Sequence, residues 1–346
     1  MNKKKKSWLV VGIGLLVLIL AGVVYAWNAP MFGKALPTPS SVFNPERLYP
    51  ANEEIAGEEV TGEAVTSEEV ATPIPEVQAA VVKVKPVCGG PEVMHVMVLG
   101  IDNNEQSDAI RLVRIDFVEQ EVWVTSIPRD FYGPVVGFEA HDITQGRINA
   151  TYGYGEWYDG AGQGIVALAN NVNYNYGVTF DHYMVLHLFD IGKYIDMMGG
   201  VDVVLEKAAA DPNHYYAAGE HHFTGEEAVA FMRIRYYDTD FARINRQSMI
   251  LKAVFDKARA EKNIVKVLNM GSQVLKDIFI KTDFALKDVY PVVCLTMRIE
   301  SSDVHYVRIP DEMFHGATTV SGGSVQIYHD TLPGFLQSVM DGRYEE

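Results

Sequence analysis

Between Arg233 and Gln247 an acidic chain concentrates four arginines, in the run Arg233-Ile-Arg235-Tyr-Tyr-Asp-Thr-Asp240-Phe-Ala-Arg243-Ile-Asn-Arg246-Gln247. Guanidinium groups stay ionised and present a planar fork of donors, so several converging on one point suit a phosphate or a carboxylate. If the segment from Arg233 to Arg235 is extended, its period of two puts both arginines on one face. Asp240, Arg243 and Gln247 are spaced three and four apart, with Arg246 one step round, on a helix expected from about Asp240 to Ala260. The apolar stripe expected on that helix is Phe241, Ile244, Leu251, Val254, Phe255 and Ala258, with the polar group along its edge. Arg243 and Arg246 would then point at one ligand near the helix's amino end, where backbone N–H groups and the dipole also favour an anion. That is the geometry of a diphosphate clamp. The plainer alternative is a solvated face laced with ion pairs to Asp238 and Asp240. Duplex nucleic acid is disfavoured, because 29 basic against 45 acidic residues give a formal net charge of -16 rather than a broad basic face.

A diphosphate usually brings a divalent cation, Mg2+ or Mn2+, which prefers carboxylate oxygens and keeps several waters. Asp102 ends one expected strand and Asp108 begins the next, so both could reach a single ion at the sheet's edge. An ordinary Asp-Asn turn followed by a strand-initiating Asp has the same spacing. Arg129 and Asp130 follow Ile127-Pro128 at a strand end, and Arg147 lies in Gly146-Arg147-Ile148-Asn149-Ala150; they gain weight only if they meet the other arginines. Arg111 shares a strand face with Val113 and Ile115, where an apolar residue is ordinary, so it either reaches the anion or lies on an exposed face. Asp240, beside Arg243, is the first candidate to accept a proton from an attacking hydroxyl, and Asp130 the second. His221-His222 reads as a solvated pair, and no Ser-His-Asp pattern stands out.

These residues need a scaffold and an address. Lys3 to Lys6 precede twenty uncharged residues, Trp8 to Trp27, which is long enough to span a bilayer with the lysines inside. Bulky Trp27 stands where a cleavage site wants a small residue, so residues 1–27 read as an uncleaved anchor. Residues 28–90 read as an acidic flexible stalk, with eight glutamates and no lysine or arginine from Ala51 to Ala80; a small acidic helical unit is the alternative. Residues 91–346 are long enough for one domain with a sizeable core. Strands are expected at 93–100, 110–116, 121–127, 182–188 and 201–205. Helices are expected at 165–172, 190–198 and from the capping box Thr224-Gly225-Glu226-Glu227 through Met232, besides the long one. The fold class is α/β (α+β), a mixed central sheet sandwiched by helices.

The succession Leu99-Gly100-Ile101-Asp102, Ser107-Asp108, Ser126-Ile127-Pro128-Arg129-Asp130, Arg147-Ile148-Asn149-Ala150, Met198-Gly199-Gly200-Val201, Arg233-x-Arg235, Asp240-x-x-Arg243 and Arg246-Gln247 resembles the LytR-CpsA-Psr family. The resemblance covers residues 93–260, with a weaker echo to 330. It implies a membrane-anchored, extracytoplasmic bacterial enzyme that moves a glycopolymer from a polyprenyl diphosphate carrier to a hydroxyl, typically of peptidoglycan, through a phosphodiester. By that resemblance Asp102 and Asp108 would hold Mg2+, Arg129, Arg147, Arg233, Arg235, Arg243 and Arg246 would hold the diphosphate with Gln247, and a tunnel between sheet and helices would take the isoprenoid tail. Ile244, Leu251 and the sheet's inner face are expected to line it. Two positions depart from the family's pattern: Gln106 stands where an arginine usually precedes Ser-Asp, and Ala242 where a glycine is common. Arg111 is expected to replace the missing arginine. A non-catalytic polyprenyl-phosphate binder is the other class, and polyprenyl pyrophosphatase action a side reaction. Cys88 and Cys294 could form a disulfide or remain independent buried thiols.

Overall fold

The structure is a computed structural model that describes residues 28–29, 36, 84–187, 190–234, 240–261, 280–319 and 322–345. The expected anchor at 1–27 and nearly all of the stalk lie outside the described residues. Among those described, no helix is long and apolar enough to cross a membrane.

In chain order the strands and helices are β1 (Val93–Ile101), β2 (Ser107–Asp116), β3 (Glu121–Ile127), β4 (Phe131–Pro134), β5 (Gln145–Arg147), α1 (Ala150–Tyr154), α2 (Gly164–Tyr176), β6 (His182–His187), α3 (Ile191–Met197) and β7 (Val201–Leu205). There follow β8 (Ala209–Ala210), β9 (Tyr215–Tyr216), β10 (Gly219–Phe223), α4 (Gly225–Arg233), α5 (Asp240–Ala260), β11 (Ile280–Thr282), α6 (Leu286–Thr296), β12 (Val304–Val307), β13 (Phe314–Thr318), β14 (Ser324–Tyr328) and α7 (Thr331–Met340). Six strands form the main sheet in the order β11-β6-β1-β2-β3-β12. β1 runs antiparallel to β2 and parallel to β6, so the sheet is mixed as expected.

Both faces of this sheet are covered, which is why β1 reads as a nearly continuous apolar run. Its alternate residues Met97, Leu99 and Ile101 pack with Ile110 and Leu112 of β2 against Tyr152 of α1, Leu168 and Val172 of α2, and Leu332 and Leu336 of α7. On the other face Met94, Val96 and Ile115 meet Leu295 of α6. A third cluster joins Val201, Val203 and Phe223 of the β7–β10 hairpin to Ile195 of α3, Phe231 of α4 and Ile250 of α5. The Thr224 capping box forms in both directions and starts α4, while the Gly225 N–H donates to Asp196 Oδ1 at 2.7 Å. A side chain at Gly225 would strike the backbone of Gly192, so only glycine permits α3 and α4 to approach this closely.

The buried face of α5 differs from the expected stripe. Arg243, Arg246 and Gln247 are 3%, 6% and 6% exposed, as enclosed as Ile250 at 0% and Ala253 at 9%. The stripe is therefore rotated, and its amino-terminal half is polar. Burial is tolerated there because the guanidinium forks donate to backbone carbonyls, a partner that side-chain hydropathy does not reveal. Cys88 is bonded to Cys294 of α6, so the two thiols are not independent, and the chain just before β1 is held to the helix layer.

Candidate functional site

The turn after β1 is built by its first carboxylate. Asp102 Oδ1 accepts the N–H groups of Asn104 at 2.8 Å and Gln106 at 2.9 Å, and Glu105 takes a left-handed φ of 55° to close the loop. β2 then begins at Ser107, which donates N–H to the Asn149 carbonyl, while Asn149 Nδ2 donates to Gln106 Oε1 at 3.3 Å. This places Asp108 one residue into the strand, where its carboxylate pairs with Arg129 Nη1. Arg129 leaves the end of β3 and lies with Nε 3.4 Å from Asp130 Oδ2, and Arg147 Nε lies 3.3 Å from Asp130 Oδ1. Both are charge contacts without hydrogen-bond alignment.

Arg243 donates from Nη2 to the Asp108 carbonyl at 3.3 Å, which ties the start of α5 to the β1–β2 turn. A cavity of about 790 Å³ lies there. Asp102, Gln106, Asp108 and Arg129 contribute from the sheet's edge, Glu226 and Arg233 from α4, and Arg243 and Gln247 from α5. Asp211 and His214, at the tip of the β8–β9 hairpin, also border it. Sequence reasoning passed over Asp211, His214 and Glu226. Asp211-Pro-Asn-His214 has the composition of an ordinary turn, and only the tertiary fold brings it to the arginines. Accepting the Asn213 N–H is the largest influence on Asp211; together with its contacts to His214 it outweighs desolvation and holds the carboxylate below its ordinary range.

The cavity does not collect every residue expected in the clamp. Arg147 is on β5, donating from Nη2 to the Ser324 carbonyl at 2.7 Å, and Arg246 donates to the Ile234 carbonyl at 2.6 Å; neither borders the cavity. Asp130 lies between Arg129 and Arg147, outside the lining. Arg235 and the side chain of Asp240 lie outside the described residues.

Arg111 is 4% exposed, so its strand face is not open to solvent. It stands between Val98 of β1 and Ser126 of β3, on the face that α5 covers. Its guanidinium donates to Ser126 Oγ, to Ser248 Oγ at 3.0 Å, to the Ile244 carbonyl at 3.2 Å and to Gln247 Oε1 at 3.1 Å. Burial, more than any charge, lowers its pKa to about 10, with Tyr306 opposing and Arg243 adding to the fall; it remains a cation at neutral pH. Arg111 borders a second cavity of about 400 Å³ with Val124, Ile244, Tyr306 and Ile309. Gln247, which accepts from Arg111 and lines the first cavity, links the two. Ile244 lines this space but Leu251 does not, and Ser126, Ser248 and Arg308 make the lining mixed rather than apolar.

Among the described residues four carboxylates, Asp102, Asp108, Asp211 and Glu226, and three guanidiniums, Arg129, Arg233 and Arg243, border the first cavity. Their sum is three minus four, one negative charge. Protein side chains alone therefore do not make this a strongly positive anion trap. Asp102 and Asp108 are hard oxygen donors, and two carboxylates with waters and substrate phosphates are a usual set for Mg2+.

The LytR_cpsA_psr family description matches residues 63–332. The chain belongs to this family. Family membership agrees with solved structures of like fold: TagV of Bacillus subtilis superposes with a TM-score of 0.60 at 22% identity, over 74% of this chain and 99% of that one. A structure of TagT bound to LIIa-WTA gives 0.59 at 20% identity, over 79% and 98%. In sequence, the chain is 26% identical over 282 residues to TagU of Bacillus anthracis, named a polyisoprenyl-teichoic acid–peptidoglycan teichoic acid transferase, covering 80% of this chain and 78% of that protein. It is 28% identical over 193 residues to the TagU of Bacillus cereus, a match spanning 54% of this chain and 60% of the relative's length. Within this LytR_cpsA_psr chain, Gln106 borders the cavity and accepts from Asn149.

Proposed function

We propose that the chain is an extracytoplasmic glycopolymer phosphotransferase. It moves a glycan from a polyprenyl diphosphate carrier to a cell-wall hydroxyl of the peptidoglycan type and leaves a phosphodiester. The observation that carries this reading is the meeting of Arg129, Arg233 and Arg243 with Asp102 and Asp108 around one cavity. It is supported by similarity to proteins named teichoic acid transferases. The uncharged span 8–27 behind Lys3 to Lys6 supports a single-pass anchor, and the Cys88–Cys294 bond suits an oxidising compartment.

Asp102 and Asp108 are the residues that would hold Mg2+, or Mn2+. The cation would turn the cavity's balance from one negative to one positive charge, and it would neutralise phosphoryl oxygens. Arg233 and Arg243 bind the diphosphate by charge-assisted hydrogen bonds, and Arg129, oriented by Asp108 and Asp130, adds a third fork. A guanidinium can only donate, so Arg111 fixes Gln247 with its oxygen inward and leaves the amide hydrogens for the ligand. Arg111 thus acts behind the cavity. The isoprenoid tail would follow the space between β2, β3, β12 and α5, where Val124, Ile244 and Ile309 offer apolar wall. With the donor positioned, the acceptor oxygen attacks the glycan-bearing phosphorus and the lipid departs as a monophosphate, a step governed by placement and electrostatics. Water in place of the acceptor would give pyrophosphatase action.

The test is transfer in vitro from a defined lipid-linked glycan to peptidoglycan fragments. A phosphodiester-linked product supports the reading. Carrier binding with no transfer would make the protein a binder instead.

A further inference from the structure

Transfer needs a group to take the acceptor's proton, and Asp130 is not placed to do so. Asp130 lies outside the cavity, between Arg129 and Arg147. The hairpin tip holds a pair that no sequence motif announced. Asp211 Oδ1 accepts the N–H groups of Asn213 at 2.8 Å and His214 at 2.7 Å, the first of which is the bond that defines an Asx turn. A turn does not require the further contact, in which the same carboxylate also meets the His214 ring, with Nδ1 at 3.0 Å from Oδ1 and 3.2 Å from Oδ2. An ionised carboxylate only accepts, so Nδ1 is the donor, and in the neutral ring the lone pair is then on Nε2.

The pair is also held in place. Tyr216 packs edge-on against Phe223 and Phe231, with ring centroids 5.2 and 5.5 Å apart, and the His214 ring lies parallel to it. Phe231 is in α4, two residues before Arg233. Hairpin and clamp are thus parts of one packed unit, and His214 and Arg233 border one cavity.

We propose that His214, oriented by Asp211, is the general base for the acceptor hydroxyl. This rests on the transferase reading above. The acceptor O–H bond breaks and its proton passes to Nε2, the acceptor oxygen forms a bond to the glycan-bearing phosphorus, and the bond from that phosphorus to the bridging oxygen breaks. The bridging oxygen leaves with the electron pair as part of the lipid monophosphate, and the imidazolium returns its proton to solvent. Glu226 also borders the cavity, but an imidazole is the stronger base near neutral pH than a side-chain carboxylate as a class.

The experiment uses the full chain in detergent with a short-chain polyprenyl diphosphate-linked saccharide as donor and soluble peptidoglycan fragments as acceptor. Donor affinity and single-turnover transfer are measured separately. His214→Ala should slow transfer by about 10²–10⁴-fold, with donor affinity unchanged, and exogenous imidazole should restore part of the rate. Asp211→Asn should give a smaller loss of the same kind, because it disturbs the orientation of the base and not the base itself. Transfer by His214→Ala at the wild-type rate overturns the proposal, as does an equal loss of donor affinity and rate with no imidazole rescue. Failure of the wild-type chain to transfer at all is a different result, since it removes the transferase reading and this proposal with it.

Discussion

At the scale of the residue, the arginines that border the cavity differ in how deeply the fold encloses them. Arg233 is exposed at the end of α4, whereas Arg243 is 3% exposed and donates to the Asp108 carbonyl. Arg233→Ala should weaken donor binding by about 1.5–3 kcal/mol, the usual worth of a charged hydrogen bond, and lower the unfolding midpoint less than a change at the buried Arg243. Arg243→Ala should weaken binding similarly and also lower stability, because it empties a buried position and unties α5 from the β1–β2 turn. Donor titration and thermal unfolding of both variants check this, and wild-type transfer in both would remove the clamp. Asp102 permits a cleaner separation of charge from shape. Its Oδ1 accepts two turn N–H groups, and an asparagine keeps that acceptor, so Asp102→Asn should fold normally. The lost negative charge should raise the magnesium concentration needed for half-maximal transfer, with Asp108→Asn behaving alike. A magnesium dependence identical to wild type in both would show that these carboxylates do not hold the cation.

At the scale of the element, β6 meets β11 at the sheet's edge, and a titrating contact helps to join them. His182 Nδ1 lies 3.3 Å from Asp283 Oδ2, and Asp283 Oδ1 accepts the Tyr183 N–H at 2.9 Å. Burial is the largest influence on His182 and lowers its pKa, but the hydrogen bond and charge of Asp283, helped by Asp288 and Asp181, reverse the effect and leave it raised. A raised histidine pKa means that the folded state binds the proton more tightly than the unfolded chain. Its stabilising contribution is therefore full below the ordinary histidine value of about 6.5 and is lost as pH climbs through the raised value. Denaturant unfolding from pH 5.5 to 8.5 should show a decline in stability with pH for wild type that is absent in His182→Gln; parallel profiles would show that the pair does not titrate. The strands β1, β3 and β7, the start of α4 and the extent of α5 were legible in the sequence because periodicity, capping and length are local properties. The rotated face of α5 was not, since Arg243, Arg246 and Gln247 bury by bonding to distant carbonyls and to Arg111. Arg111 was suspicious as a charge among apolar neighbours, yet its route through Gln247 depends on which side chain α5 sets above it. Asp211 and His214 gave no signal, because a hairpin tip acquires its place from tertiary packing, here of Tyr216 on Phe223 and Phe231.

For the whole molecule, the longest covalent constraint is the bond between Cys88 and Cys294, 206 residues apart. It joins the chain entering β1 to α6, and between those points lie the sheet's first strands, the hairpins, α4 and α5. β1 and α6 share a cluster in which Met94, Val96 and Ile115 pack on Leu295, beside Cys294 in sequence. Breaking the bond therefore leaves native packing in place but frees the unfolded chain, and the entropic account assigns a closed loop of this length about 5 kcal/mol. Most of that loss should appear as a lower unfolding midpoint rather than as lost chemistry, because neither cysteine borders the cavity. The double variant Cys88→Ser with Cys294→Ser should accordingly bind donor and transfer glycan at nearly the wild-type rate at low temperature. It should unfold at lower denaturant, and reductant should lower the wild-type midpoint to the same place while leaving the variant unmoved. Equal midpoints for the oxidised wild type and the variant would show that the bond adds no stability. A variant that stayed folded but lost transfer would show that the link positions the β1–β2 turn and its two carboxylates.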